Sequence, residues 1–88
     1  MLHKDETVYI NTEATGIHLK AVLSRRGITV AELQSQLGLT APQAIYKWFR
    51  GESLPSIDNL VVLSHLLELP INDLLVCDVF TPTRRIVA

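Results

Sequence analysis

The chain has 88 residues, 48% of them apolar and 19% charged, a composition that suits one small folded domain. A single cysteine excludes an internal disulfide framework and argues against a cysteine-ligated zinc site. The N-terminus has no apolar core of a signal peptide, and no window holds 18 apolar residues. We therefore expect a soluble, cytoplasmic protein that does not span a membrane.

The formal net charge of −1 hides an uneven distribution of charge. Residues 18–51 carry five basic side chains against one acidic side chain, whereas residues 52–80 carry five acidic side chains and no lysine or arginine. An anionic partner responds to the local field rather than to the total charge. The basic segment is therefore compatible with nucleic-acid binding, although an excess of this size also arises by chance.

A short strand and a first helix are predicted at the start of the chain. Polar and apolar residues alternate over residues 7–11, which favours a strand. A helix is predicted over residues 13–25, with Gly27 as its stop signal. Positions spaced three or four apart form one stripe at Ile17, Ala21 (with Val22) and Ser24, and Leu19 and Leu23 lie on a neighbouring stripe.

Two capping boxes predict the second and third helices. The first box, Thr29-Val30-Ala31-Glu32, opens a short helix over residues 30–37 whose inward residues are Leu33 and Leu37. The second box, Thr40-Ala41-Pro42-Gln43, opens a helix that runs to about Arg50. Two short helices joined by residues 38–40 have the sequence outline of a helix-turn-helix.

The third helix is the candidate DNA-reading element. With Ile45 and Trp48 facing inward, its outward face holds Gln43, Tyr46, Lys47 and Arg50. Glutamine pairs with adenine, lysine donates to guanine or phosphate, and arginine grips the DNA backbone. Purely structural roles stay open for two of these residues, since Tyr46 equally suits surface packing and Gln43 can close its capping box.

A fourth helix is predicted over residues 57–68, capped by Ser56 and ended by Pro70, followed by a short fifth helix over residues 71–76. The fourth helix carries two apolar stripes: a core stripe of Ile57, Leu60, Leu63 and Leu67, and a second stripe of Val62, His65, Leu66 and Leu69. The second stripe predicts an interface. Two candidates could cover this stripe: a second copy of the chain, and the chain's own ends, where a Val8/Ile10 strand pairs with a Phe80/Ile86 tail. The two are compatible, since such a terminal ribbon can also pair between subunits, and the hypothesis is a homodimer whose contact includes the fourth or fifth helix and the terminal segments.

A specific combination of short sequence motifs extends over most of the chain. They are Leu33…Leu37-Gly38, Gln43-Ala44-Ile45-Tyr46-Lys47-Trp48-Phe49-Arg50-Gly51, Leu54-Pro55, Leu60…Leu63 and Leu67…Ile71-Asn72-Asp73-Leu74-Leu75. This combination resembles the Xre/Cro repressor-like helix-turn-helix family. The resemblance implies an all-α, compact five-helix, lambda-repressor-like domain over residues 13–76, between an N-terminal arm or short strand at 1–12 and a C-terminal tail or short strand at 77–88.

The resemblance also implies the residues that touch DNA. By position, the base contacts are Gln43 and Lys47. The residues that flank them on the DNA surface are Thr40, Pro42, Ala44 and Tyr46. The phosphate contacts are Arg50 and Ser53. Three features depart from the family pattern. Val30 replaces a polar phosphate-contacting residue, Gln34 replaces a small alanine, and Pro42 lengthens the turn, so we expect the third helix to be shifted or rotated.

The predicted function is sequence-specific binding of double-stranded DNA by a homodimer that regulates transcription, most often as a repressor. Two alternatives stay open: a protein-interaction module with a weakened DNA surface, and the antitoxin of a toxin–antitoxin pair, which binds DNA and a partner protein. The sequence contains none of the glycine-rich, histidine-pair or serine-elbow motifs of enzymes. We therefore expect no catalytic site, no metal and no cofactor.

Overall fold

The computed structural model describes residues 5–81, which form four α-helices and a two-stranded antiparallel ribbon. In chain order the elements are β1 (Thr7–Ile10), α1 (Thr12–Arg25), α2 (Val30–Gln36), α3 (Gln43–Phe49), α4 (Ile57–Leu67), a 3₁₀ turn (Ile71–Asp73) and β2 (Cys77–Phe80). Within the described part of the chain, no helix has the length and apolar character needed to cross a membrane.

The α-helices share one hydrophobic core. Its ten buried residues are Leu19, Val22, Leu23, Leu33, Ile45, Trp48, Leu60, Leu63, Leu67 and Leu74. The inward orientation predicted for the second and third helices is thus confirmed at Leu33, Ile45 and Trp48. All of these side chains are large and apolar, so their removal from water is the main source of stability for a domain of this size.

Two apolar residues of the predicted helical stripes are exposed, and one of them, Ile57, was predicted to face the core. Ile17 is 62% exposed, because the core face of α1 is formed by Leu19, Val22 and Leu23. Ile57 is 77% exposed, because it is the first residue of α4 and lies where the chain enters the helix from the surface. Periodicity alone gives the spacing of apolar residues, but it does not choose between two adjacent stripes.

The predicted side-chain caps at Thr29 and Ser56 begin α2 and α4, although within residues 5–81 the return bond of the Thr29 capping box, from the Thr29 amide to the Glu32 carboxylate, is not formed. The Thr29 hydroxyl accepts a hydrogen bond from the Glu32 amide at 3.1 Å. The Ser56 hydroxyl accepts one from the Asn59 amide, also at 3.1 Å. Each bond satisfies an amide that the helix itself leaves unpaired.

The predicted cap at Thr40 is wrong. α3 begins at Gln43, and its N-terminal flanking residue is Pro42, which makes no side-chain capping bond. Pro42 already has helical backbone angles (φ −82°, ψ −1°), whereas a side-chain cap needs an extended residue. Thr40 therefore belongs to the turn between α2 and α3, and Gln43 is not occupied as the closing residue of a capping box.

The predicted fifth helix over residues 71–76 is also wrong, since this segment forms a single 3₁₀ turn before β2. The Asp73 amide donates to the Pro70 carbonyl and the Leu74 amide donates to the Ile71 carbonyl, both at 2.9 Å. Beyond this turn, the buried Thr15 hydroxyl accepts from the Val76 amide at 2.9 Å. That bond holds the backbone away from a helical path and directs it into β2.

The ribbon pairs the two ends of the described chain. Its register is Thr7 with Phe80, Val8 with Val79, Tyr9 with Asp78 and Ile10 with Cys77. The predicted pairing of the Val8 strand with the segment around Phe80 is therefore confirmed, while Ile86 lies outside the described residues. Asn11 anchors the ribbon to the helices: its side-chain oxygen caps α1 at the Ala14 amide and its side-chain nitrogen donates to Asp78 at 2.8 Å.

Candidate nucleic-acid interface

α3 buries one face and presents a polar face opposite to it. Ile45 is fully buried and Trp48 is 4% exposed, so these two side chains fix the helix on the core. The exposed residues lie at positions i, i+3, i+4 and i+7, and are therefore neighbours on one face: Gln43, Tyr46, Lys47 and Arg50. The structure thus brings together the four outward residues that the sequence predicted.

The position of α3 depends on a close backbone crossing with α1. A Cβ atom on Gly16 would lie 2.1 Å from the Trp48 carbonyl oxygen and 2.7 Å from that of Phe49. At the end of α3, a Cβ on Gly51 would lie 2.7 Å from the Cα of Glu13. The crossing is thus possible only with glycine at positions 16 and 51. Gly16 was missed at the sequence level, although an isolated glycine inside a helical pattern is a signal of close packing.

The turn between α2 and α3 is held by the glutamine that departs from the family pattern. The side-chain nitrogen of Gln34 donates to the Leu39 carbonyl at 3.3 Å, and the Leu39 amide donates to the Gln34 carbonyl at 3.0 Å. Leu37 and Leu39 pack against the core on either side of Gly38. The bulky side chain at position 34 therefore fixes the turn that leads into α3.

Gln43 and Lys47 are the least constrained residues of the exposed face. Both side chains are exposed, and within residues 5–81 neither makes a hydrogen bond or an ion pair. Tyr46 is 44% exposed, and its ring packs edge-to-face on Phe49 with ring centroids 6.3 Å apart. Tyr46 therefore makes the packing contact that the sequence left open, and its contact with DNA stays a prediction.

Arg50 forms an ion pair with Glu52, just after the end of α3. The two side chains are 59% and 50% exposed, so solvent screens their attraction, and exposed pairs contribute about 0–1 kcal/mol. A phosphate can therefore compete for the guanidinium at small cost.

The remaining predicted contacts are less accessible than the four outward residues. Thr40 is exposed in the turn, whereas Pro42 and Ser53 are half-buried. Ala44 is half-buried and packs against the core, so it offers DNA a small surface and no donor. Their contacts with DNA stay predictions from the resemblance.

Val30, at the start of α2, lines an open groove of about 240 Å³ together with residues of α1 and α3. Lys20 from α1 and Phe49 from α3 line the same groove. A basic side chain therefore lines the same groove as Val30, which replaces the polar residue typical of the family.

The second apolar stripe of α4 is only partly available at the surface. Val62, Leu66 and Leu69 are half-buried, with the two leucines packed against the core, while His65 is exposed. The exposed apolar residues of α4 are Ile57 and Val61 instead. A role of the second stripe in dimer formation stays a prediction.

Comparison with known proteins places this arrangement among DNA-binding regulators. Residues 19–74 match the profile of a protein family described as "Helix-turn-helix". No curated protein matches the sequence at a significant level. Among solved structures, the chain is similar to the clp gene regulator ClgR of Corynebacterium glutamicum. The two sequences are 25% identical, the match covers 72% of this chain and 80% of that chain, and the TM-score is 0.61.

Two further solved structures share the fold. The restriction-modification controller protein C.AhdI from Aeromonas hydrophila has 21% identity, 75% and 98% coverage of the two chains and a TM-score of 0.64. The biofilm regulator SinR, solved in complex with DNA, has 24% identity, 68% and 95% coverage and a TM-score of 0.59. Fold and exposed helix face together define the class of helix-turn-helix DNA-binding regulators. The chain belongs to the Xre/Cro-type helix-turn-helix family.

Proposed function

We propose that the chain binds specific sequences of double-stranded DNA as a homodimer in the cytoplasm and represses transcription. The observation that carries the proposal is the exposed face of α3, where Gln43, Tyr46, Lys47 and Arg50 are neighbours on a helix anchored by Ile45 and Trp48. These side-chain types read base edges and grip phosphates in the major groove. The chain acts by binding, and occupancy of its site excludes other proteins from the DNA.

The roles within this face follow from how each side chain is held. Gln43 and Lys47 are exposed and free to turn toward base edges, so they carry the sequence preference. Arg50 lies at the end of α3, where a phosphate replaces Glu52 as the partner of its guanidinium group. Arg50 therefore contributes to the affinity for DNA of any sequence. Tyr46 is held by Phe49 and adds a hydroxyl to the same face.

Lys20 supplies the phosphate contact that Val30 lacks. It is exposed on α1 and lines the same groove as Val30, at the start of α2. The aliphatic stem of a lysine lies readily along apolar surface while its ammonium group stays in water. The ammonium group of Lys20 thus donates to the DNA phosphate that a polar side chain at position 30 contacts in the family pattern.

The test is a selection from random double-stranded oligonucleotides, followed by affinity measurements on the selected and on scrambled sites. Lys47→Ala and Gln43→Ala should each reduce the preference for the selected site, because a lost bidentate base contact costs about 1–3 kcal/mol at that base. Arg25→Ala removes the same charge as Lys47→Ala from an exposed position outside α3 and is the matched control. If both α3 variants keep the full preference of the parent, the assignment of this face is wrong.

The salt dependence of affinity separates DNA binding from the protein-interaction alternative. For a dimer with roughly 6 phosphate contacts, log affinity should fall with log salt at a slope of about −5. Lys20→Ala and Arg50→Ala should each make this slope shallower and weaken all sequences alike. A flat salt response contradicts the proposal and favours a protein-interaction module.

A further inference from the structure

The ribbon of β1 and β2 is incompletely covered on both faces. Five apolar or aromatic side chains in its two strands are between 38% and 56% exposed: Val8, Tyr9, Ile10, Val79 and Phe80. A two-stranded ribbon is marginally stable in water, and additional strands stabilise it. β1 contains no charged residue and no proline, the features that usually protect an exposed sheet edge from pairing with another chain.

The hydrogen-bond pattern shows which backbone groups point away from the ribbon. The Asn11 amide donates to the Val76 carbonyl at 2.8 Å, so these two residues occupy a hydrogen-bonded position in the register of the ribbon, although the Val76 amide itself donates to Thr15. Hydrogen-bonded and non-hydrogen-bonded pairs alternate in antiparallel strands. Tyr9 therefore bonds to Asp78, whereas the amides and carbonyls of Val8 and Ile10 point outward from β1.

The same alternation leaves Cys77 and Val79 pointing outward from β2, so within residues 5–81 each edge of the ribbon offers two residues to a new strand. When both outward residues of one edge pair with a second copy about a two-fold axis, the intervening residue lies opposite itself. On β2 that residue is Asp78, and two like charges directly opposite each other are destabilising. On β1 it is Tyr9, and aromatic pairs at such positions are stabilising.

We propose that two copies of the chain join through the outer edge of β1, with Tyr9 of one copy facing Tyr9 of the other. Val8 of each copy then exchanges two backbone hydrogen bonds with Ile10 of the other, and both residues lie within the strand. The result is a four-stranded antiparallel sheet in the order β2–β1–β1–β2. The inference rests on the homodimer of the proposed function and specifies its interface.

The first experiment compares the assembly of edge variants by sedimentation velocity without DNA at tens of micromolar. Val8→Pro removes an outward amide from β1, and Val79→Pro removes the matching outward amide from β2 as the control. Tyr9→Lys places an ammonium group opposite Asp78 within the ribbon, which is favourable, but opposite a second ammonium group across the two-fold axis. Circular dichroism of each variant checks that the helices are kept.

The parent and Val79→Pro should sediment as dimers, whereas Val8→Pro and Tyr9→Lys should weaken dimerisation by roughly tenfold or more. A monomeric parent overturns the proposal. Dimers that persist in both β1 variants, or that are lost equally in Val79→Pro, also overturn it.

A cross-linking experiment tests the register without depending on weakened assembly. In a Cys77→Ser background, Tyr9→Cys should form an intermolecular disulfide in a glutathione buffer, because residues at position 9 lie directly opposite each other. Thr7→Cys in the same background is the control, since its two copies would be separated by roughly 13 Å along the strands. Equal cross-linking at positions 7 and 9, or none at position 9, contradicts the register.

Binding to DNA with one or two half-sites separates this inference from the proposed function. Tyr9→Lys should bind a single half-site like the parent, but lose the additional affinity of the parent for two half-sites about one turn, roughly 34 Å, apart. If the parent dimerises through β1 and shows no preference among DNA sequences, the interface stands and the proposed function fails. If the parent selects DNA sequences but Tyr9→Lys assembles unchanged, the interface fails and the proposed function stands.

Discussion

Replacing Gly16 by alanine tests the close crossing that sets the position of α3. The added methyl group would lie 2.1 Å from the Trp48 carbonyl oxygen, whereas an ordinary contact begins at 3.4 Å. The obstructing atoms belong to the backbone, so α1 and α3 must separate by about 1.3 Å to admit it. A clash of this size costs roughly 3 kcal/mol, and the better helix propensity of alanine offsets about 1 kcal/mol.

The expected net loss is therefore about 2 kcal/mol, which lowers the melting temperature of a domain of this size by roughly 8–16 °C. Thermal unfolding followed by circular dichroism measures the loss, and fluorescence anisotropy with labelled DNA, well below the melting temperature, measures affinity. Because α3 is displaced, we expect Gly16→Ala to bind its selected site more weakly even while folded.

Gly27→Ala is the matched control for this substitution. Gly27 has a left-handed backbone (φ +68°), and a Cβ there meets nothing within 4 Å. The strain should lower stability by about 1–2 kcal/mol without moving α3, so affinity for DNA should stay at the parental value. A Gly16→Ala protein that is as stable as the parent, or that binds DNA equally well, would refute the proposed role of the crossing.

Three further predictions concern other contacts. Thr15→Val should destabilise the fold by about 1–3 kcal/mol in urea unfolding, because the Val76 amide loses its partner, while Thr15→Ser should retain most of the stability. Glu52→Gln should raise affinity for all DNA sequences by less than about tenfold, since it frees Arg50 from an exposed ion pair; unchanged affinity in an anisotropy titration contradicts this. Ser56→Ala should cost about 1 kcal/mol in thermal unfolding through loss of the α4 cap, and an unaltered melting curve contradicts that contribution.

Local sequence patterns were sufficient for most features that depend on residues a few positions apart, but not for the cap at Thr40, where Pro42 already has helical backbone angles. The caps at Thr29 and Ser56 each join a side chain to an amide three residues along the chain. The inward pair Ile45 and Trp48 defined the face of α3 by helical spacing alone. The same spacing placed the four outward residues of α3 on one surface, and the resemblance of the motifs to the Xre/Cro family indicated the class of protein.

Tertiary structure decided the features that depend on distant parts of the chain. Thr15 and Val76 are 61 residues apart, yet their hydrogen bond directs the segment after α4 into β2 rather than a fifth helix. Gly16 has its role only because the carbonyls of α3 come to lie against it. Helical periodicity is a property of one segment, whereas the choice of buried stripe, the depth of a crossing and the register of a ribbon depend on which segment packs opposite.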